Sequence, residues 1–350
     1  MRYVKIPSHS ASGTISELMC RDVVDRNVKI RKDAYFRYVP VLQGYEDQLQ
    51  KEGFEMIECG HYPRGRESPQ VRIRKALADL PEDVFKELPM KWEYVGDIVI
   101  IRADVPDVHK ERIGKVYSEE LGAKTVCIDG SGVSGEFRRP SMEVIFGSDT
   151  VSTRLENGIR YQFDMTKVMF SSGNIDERER MGHLDCRGET VVDMFAGIGY
   201  FALPIAKFTG ASKVIACEKN PESFGFLKKN IELNSLNNVE AVLSDNRDLP
   251  GKRFADRIVM GYVQRTSDFL DKALDMIKDG GIIHYHDTFY VNEYQERIRD
   301  IFSRCDHEIL GIREVKSFAP SVSHYVTDVC IKHPNGIRRL EHLVQSVNES

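Results

Sequence analysis

Residues 191 to 208, "VVDMFAGIGYFALPIAKF", pass from a branched apolar run through an aspartate and a small-residue loop into apolar residues at helical spacing. This is the pattern of strand, tight turn and helix, and in a parallel α/β sheet the turn after the first strand lies against the ligand. Gly197 and Gly199 let the backbone approach where a side chain would collide. The alternation continues downstream. Short β-branched runs at 190–195, 213–217, 239–243, 255–260, 281–285 and 323–330 are interleaved with helical patterns at 200–208, 221–233, 266–278 and 290–304. The expected fold is therefore α/β, a Rossmann-like, doubly wound and mainly parallel sheet with its ligand at the carboxyl ends of the strands.

Two further strand ends say what that ligand is. The second strand closes in "VIACEKNP", placing Glu218 where a carboxylate can accept both hydroxyls of a ribose, and the third closes in "VLSDNRDL", placing Asp245 and Asn246 where an adenine amino group could be read. A dinucleotide would call for a third glycine to seat its pyrophosphate, but Tyr200 and Phe201 follow Gly199. A nucleoside without phosphates fits better, and S-adenosylmethionine is such a ligand. Taken alone, Glu218 also reads as a solvated strand-end carboxylate; the joint pattern favours the ribose.

The chain has 350 residues, 41% hydrophobic and 29% charged, ample for a buried core and for two or three domains. No N-terminal stretch resembles a signal peptide and no run approaches the roughly 20 apolar residues of a membrane span, so a cytoplasmic protein without membrane contact is expected. Seven scattered cysteines include no C-x-x-C pair, which indicates buried thiols rather than a zinc site or a disulfide framework, and no metal is expected. The net charge of −5 does not advertise nucleic-acid binding, although local patches can still provide it. One patch is "PRGRESPQVRIRK" at 63–75, where Arg64, Arg66, Arg72, Arg74 and Lys75 meet a single Glu67; another is "GSGVSGEFRRP" at 130–140, with Arg138 and Arg139. Phosphate contact competes with a solvated linker in the first and an ordinary hairpin loop in the second. The expected order is a small α+β domain at 1–62, a basic linker at 63–90, a middle α+β domain at 91–160, the catalytic domain at 161–335 and a tail at 336–350.

Long motifs then carry a family resemblance. "YQFDMTKVMFSSGNIDERERMG" at 161–182, the opening stretch, "ACEKNPESFGFLKKNIELN" at 216–234, "SDNRD" at 244–248 and "KSFAPSVSHYVTDV" at 316–329 resemble the archaeal and eukaryotic family acting on the guanine at tRNA position 37. That family contains tRNA guanine N1-methyltransferases and the aminocarboxypropyltransferases of wybutosine synthesis. "GDIVIIRADVP" and "GVSGEFR" extend the likeness into the middle domain, and 22–41 extends it more loosely into the first. The resemblance implies a class I methyltransferase fold, a middle domain completing the tRNA surface and a small first domain touching tRNA away from the anticodon. Carried over by position, it implies that Ser171 and Arg178 touch the cofactor, with Glu218 on the ribose and Asp245 and Asn246 at the adenine. Phe195, Gly197, Gly199 and Gly261 complete the expected cofactor set.

The fourth strand discriminates between the two branches. The methyltransferases typically carry Asn followed by Pro or Leu-Pro after it, whereas "ADRIVMGYVQRTSDFL" puts Gly261, Tyr262 and Val263 there. Gly-Tyr-Val resembles the archaeal aminocarboxypropyltransferases, and "GGIIHYHDT" fits the same branch. The reaction this implies is transfer of the 3-amino-3-carboxypropyl group from S-adenosylmethionine to C7 of 4-demethylwyosine at position 37 of tRNA-Phe, with no obligatory protein partner. Arg178 is expected to pair bidentately with the migrating carboxylate, the competing reading being an ion pair with Asp176 or Glu177. Tyr262 is expected to stack on the base or merely pack. His284 or His286, which share a strand face, is a candidate proton acceptor, against a structural or stacking role. Three alternatives remain open: a guanine-37 N1-methyltransferase or a bifunctional wyosine-ring methyltransferase, a noncatalytic tRNA-binding module, and a dinucleotide-dependent oxidoreductase.

Overall fold

The computed structural model describes residues 1–33, 35–60, 67–134, 139–170, 172–263 and 265–333. Contacts divide the chain into two compact units, Met1–Leu80 and Pro81–Ser350.

The second unit is built on a seven-stranded sheet. Its strands are β1 (Thr190–Asp193), β2 (Lys213–Glu218), β3 (Val239–Leu243), β4 (Ala255–Met260), β5 (Ile277–Tyr290), β6 (Asp306–Ala319) and β7 (Val322–His333), in the order β3-β2-β1-β4-β5-β7-β6. The first five are mutually parallel, and β7 inserts antiparallel between β5 and β6. Val191, Val192, Ile258 and Val259 are fully buried, as expected of strands covered by helices on both faces. The helices are α1 (Ile175–Gly182), α2 (Ala202–Phe208), α3 (Pro221–Leu233), α4 (Leu270–Met276) and α5 (Tyr294–Phe302). After β1 the chain crosses to β2 on one side, while β4 lies on the other, so strand order reverses between β1 and β4. That reversal opens a crevice at their carboxyl ends.

A hairpin of Val151–Glu156 and Ile159–Asp164 precedes this sheet and docks on α3. Asn230 and Asn234, one helical turn apart, supply the ladder that its edge strand lacks. The Gln162 N–H donates to Asn230 Oδ1 (2.7 Å) and the Arg160 N–H to Asn234 Oδ1 (2.9 Å), and each amide group donates back to the carbonyl of the same residue. Val95, Ile98, Ile100 and Cys127 of the middle segment share one core with Tyr161 and Phe163 of the hairpin and with Ile198 and Leu203 beside the β1 turn. Middle segment and catalytic fold therefore share apolar packing across the expected boundary at residue 160.

The segment expected to be a linker also folds. Its described part carries helices at Pro69–Ala76 and Glu82–Lys86 with Ile73, Leu77, Leu80 and Val84 buried. Ser68 caps the first helix and Pro69 opens it. The apolar positions are at helical spacing but hidden among arginines. The strand β6 was not anticipated either, because it is an edge strand with broken alternation and four register irregularities. In the first unit, Arg2–Pro7 pairs antiparallel with both Phe36–Pro40 and Glu55–Glu58, over a core of Val4, Ile6, Leu18, Val39 and Leu49.

Candidate active site

The turn after β1 is held by carboxylates. Asp193, fully buried at the strand end, accepts from the Phe195 N–H (3.2 Å) and from the Ala202 N–H at the start of α2 (3.1 Å). Burial pushes its carboxyl up to about 7, against the pull of those two donors. Glu218, at the end of β2, accepts from the Gly197 N–H (2.7 Å) through one oxygen and from the Asn220 N–H (2.7 Å) through the other. Burial raises its pKa as well. Gly197 has φ of +57°, and Gly199 has φ of +102°. At Gly199 the reason is packing: an added Cβ would sit 2.4 Å from Leu203 Cγ on α2. Gly199 thus seats the helix rather than lining the crevice.

The crevice is a cavity of about 230 Å³ at the ends of β1 to β4. Phe195, Gly197, Glu218, Asp245, Asn246, Gly261 and Tyr262 all line it, together with Met169, Met194, Asn220, Ser223 and Phe269, which the sequence reading had not singled out. Asn220 was visible as the cap in "KNPE"; its side chain accepts from the Glu222 N–H (3.0 Å) at the start of α3. Asp245 accepts two hydrogen bonds from the Arg247 guanidinium (2.9 and 2.7 Å) and meets Lys219 (3.2 Å), so its carboxyl is held well below the usual range. Asn246 is 5% exposed, and its amide donates to the Met194 carbonyl (3.1 Å), which fixes the orientation of the group. Asn246 Oδ1 is buried and has no hydrogen-bond partner among the described residues. A buried acceptor left unpaired costs about 1–3 kcal/mol, which suits a site whose donor arrives with the ligand. The Tyr262 ring stacks on Phe195 (centroids 5.0 Å apart, planes at 27°) and meets the edge of Phe269 (5.4 Å).

A larger cavity of about 1030 Å³ adjoins it, the two sharing Val168 and Met169. Trp92, Met142, Phe170 and Phe318 give it flat and adaptable apolar walls, with Lys91, Arg102 and Lys316 among its lining residues.

Two expected site residues sit elsewhere. Arg178 is 2% exposed, and its guanidinium forks onto Glu156 of the hairpin (2.5 and 3.0 Å) rather than onto Asp176 or Glu177. It lies against the rings of Phe170 (5.2 Å) and Tyr200 (5.4 Å) and does not line the donor-sized cavity. The expected carboxylate clamp is therefore corrected to a buried ion pair. His284, 1% exposed, has Asp328 at Nδ1 (2.6 Å) and Arg257 at Nε2 (2.9 Å). Because guanidinium only donates, Nε2 must accept and Nδ1 carries the proton given to Asp328. Both ring nitrogens are thus committed, and burial lowers the pKa, so His284 belongs to the scaffold and not to the reacting groups. Ser171, Arg64, Arg66 and Arg138 lie outside the described residues, and at Arg139 only the backbone is described. Among the described residues no group of acidic, histidine or cysteine side chains could hold a metal ion, and no helix is long and apolar enough to cross a membrane.

A parallel sheet whose strand order reverses between β1 and β4, with a carboxylate-held glycine turn and Glu218 lining the crevice there, defines a Rossmann-like α/β fold. Residues 152–311 match the TRM5/TYW2 methyltransferase domain and residues 73–150 the TYW2 N-terminal domain. The chain belongs to the TRM5/TYW2 family. It is similar to the tRNA(Phe) (4-demethylwyosine(37)-C(7)) aminocarboxypropyltransferase of Pyrococcus horikoshii, 46% identical over 268 residues covering 74% of this chain and 95% of that one. It also resembles the tRNA (guanine(37)-N(1))-methyltransferase Trm5b of Pyrococcus abyssi, 32% identical over 332 residues, 91% of this chain and 95% of that one. The crystal structure of P. horikoshii TYW2 in complex with MeSAdo superposes with a TM-score of 0.67 at 44% identity, covering 75% of this chain and 99% of that chain.

Proposed function

We propose that this protein transfers the 3-amino-3-carboxypropyl group of S-adenosylmethionine to C7 of 4-demethylwyosine at position 37 of tRNA-Phe, releasing 5′-methylthioadenosine. The observation that carries the reading is the paired cavity. A nucleoside-sized pocket with one unpaired buried acceptor, Asn246 Oδ1, adjoins a larger aromatic and methionine-lined cleft. The P. horikoshii relatives' names supply the chemistry.

Asn246 suits the adenine amino group, which brings the missing donor. Glu218 has lone-pair capacity left beyond its bonds to the Gly197 and Asn220 N–H groups, which suits ribose hydroxyls. The bound sulfonium supplies the leaving group: C7 forms a bond to the methylene beside sulfur, that carbon–sulfur bond breaks, its electron pair stays on sulfur as a neutral thioether, and C7 then loses its proton to solvent. The chain's own residues orient the reactants and exclude water. The cleft beside the pocket receives the unstacked base, with its aromatic walls available for stacking. Regions 1–62 and 91–160 would then contact the tRNA, and binding would weaken with salt wherever Arg72, Arg74 and Lys75 meet phosphate.

Mass spectrometry of nucleosides from tRNA-Phe carrying 4-demethylwyosine, after incubation with the protein and S-adenosylmethionine, tests the reading. An aminocarboxypropyl increment with methylthioadenosine is expected. A methyl increment with S-adenosylhomocysteine would replace it with the methyltransferase reading.

A further inference from the structure

The turn after β4 is held in a conformation its sequence does not favour. Val263 has φ of +65°, in the left-handed region that a β-branched residue rarely enters. What keeps it there is Thr266. Its side chain is fully buried; Oγ1 accepts from the Val263 N–H (3.0 Å) and donates to the His286 carbonyl on β5 (2.6 Å). The other end of the turn is fixed by contact, since a Cβ at Gly261 would lie 2.9 Å from the Phe201 ring, and that ring stacks on His286 (5.1 Å). Between these anchors stands Tyr262, seated on Phe195 with Phe269 at its edge. Phe269 and Thr266 share one short 3₁₀ turn, Thr266–Phe269, so the clamp and the edge contact move together.

A local conformation that costs free energy persists only where its surroundings impose it, and here they impose it on a residue adjacent to a cavity-lining ring. We infer that Thr266 is a positioning residue: by holding Val263 left-handed it keeps the Tyr262 ring on Phe195, and this ring sets which carbon of the donor's sulfonium faces the acceptor. The inference rests on the aminocarboxypropyl reading. Attack at the side-chain methylene releases methylthioadenosine, whereas attack at the methyl carbon releases S-adenosylhomocysteine, so the ratio of the two reports the orientation directly.

The test uses the full chain with 4-demethylwyosine tRNA-Phe and measures both thioether products for wild type, Thr266→Val, Thr266→Ser and the double variant Thr266→Val/Val263→Gly. Thr266→Val keeps the shape and loses both hydrogen bonds. It is expected to lower kcat/KM roughly 10- to 100-fold, the range a small misplacement near the reacting atoms produces, and to raise the share of S-adenosylhomocysteine. Thr266→Ser keeps the hydroxyl and should restore the wild-type ratio. The double variant should recover part of the loss, because glycine adopts the left-handed turn without a clamp. A merely structural threonine would show no such rescue. If Thr266→Val does not fold, Thr266→Ser and the double variant are compared with wild type, and an unchanged product ratio in the double variant together with an altered one in Thr266→Ser overturns the inference. So does a folded Thr266→Val with the wild-type ratio and kinetics. A wild type that releases no methylthioadenosine defeats the reaction assignment itself, a separate outcome.

Discussion

The two halves of the seven-stranded sheet use polar residues in opposite ways. At the carboxyl ends of β1 to β4, carboxylates are spent on backbone N–H groups and one buried acceptor, Asn246 Oδ1, is left without a partner. Across β5 and β7 the charged groups close on one another. Arg180 bridges Glu177 (2.7 Å) and Asp328 (3.0 Å), Asp328 accepts a hydrogen bond from His284 Nδ1–H, and Arg257 joins His284 to Glu189 (2.7 Å). Arginine and histidine are common in active sites, yet here they mark the scaffold. Buried atoms without a partner do not separate the halves, since His286 Nε2 on β5 and Thr327 Oγ1 on β7 join Asn246 Oδ1 among the described residues; what marks the site is that Asn246 lines the crevice.

The largest test of that contrast is at Arg178. Replacing it with Met leaves Glu156 buried with Arg154 (3.4 Å) as its one remaining ion-pair partner among the described residues, and loss of one partner of a buried pair costs about 3 kcal/mol or more. Chemical denaturation should show that loss, while calorimetry with S-adenosylmethionine on the folded variant shows affinity within a few-fold of wild type. A folded protein that no longer binds the donor would return Arg178 to the site. Glu218→Gln comes next. An amide offers one acceptor oxygen and turns its NH₂ toward a backbone N–H, so donor affinity should fall on the order of 100-fold, from two charge-assisted bonds made neutral or lost. Unchanged affinity would mean that the ribose is held elsewhere. Asn246→Ala should weaken donor binding about 10-fold and cost about 1 kcal/mol of stability, because the hydrogen bond to the Met194 carbonyl is lost along with the unpaired oxygen. A stability loss without a binding loss would make Asn246 a scaffold residue as well.

The same contrast explains what could be read from sequence. The central strands around the crevice were legible because a parallel, doubly covered strand is a short branched apolar run, and β4 falls where the pattern puts it; β3, a part-exposed edge strand, also lies at its expected 239–243. Their ends were legible too, since Glu218, Asp245 and Asn246 follow directly from the register of the strands that carry them. Arg178 and His284 were misread for one reason: each finds its partner far along the chain. Glu156 lies 22 residues before Arg178, on a hairpin whose strands were not anticipated, and Asp328 lies 44 residues after His284, on the inserted antiparallel strand. Spacing cannot reveal a pairing that topology makes. Thr266 was invisible for a related reason, because its importance comes from the backbone angle of Val263 and not from its own residue type.

The smallest expected effect separates the two halves by pH. Burial lowers the pKa of His284, of His286 (well below its ordinary value) and of His324 (to about 4), while it raises those of Asp193 (to about 7) and Glu218. A histidine depressed in the fold is protonated first in the unfolded chain, so its contribution is present above about pH 6.5 and is lost as pH falls toward the folded value. A raised carboxyl works in reverse: the fold binds its proton first, and stability is lost as pH climbs from about 4 toward the folded value. Between about pH 4.5 and 6.5, three histidines therefore oppose two carboxylates. The histidines outnumber the carboxylates, so stability should rise with pH across this window, by about 1.4 kcal/mol per unit for each proton taken up on unfolding. His324→Gln, whose amide can donate to or accept from the His286 ring (3.2 Å from His324 here), removes one of the three and should flatten the profile. Greater stability at pH 5 than at pH 6.5 would show that the carboxylates of the donor pocket, and not the histidines beside it, dominate the proton balance of this sheet.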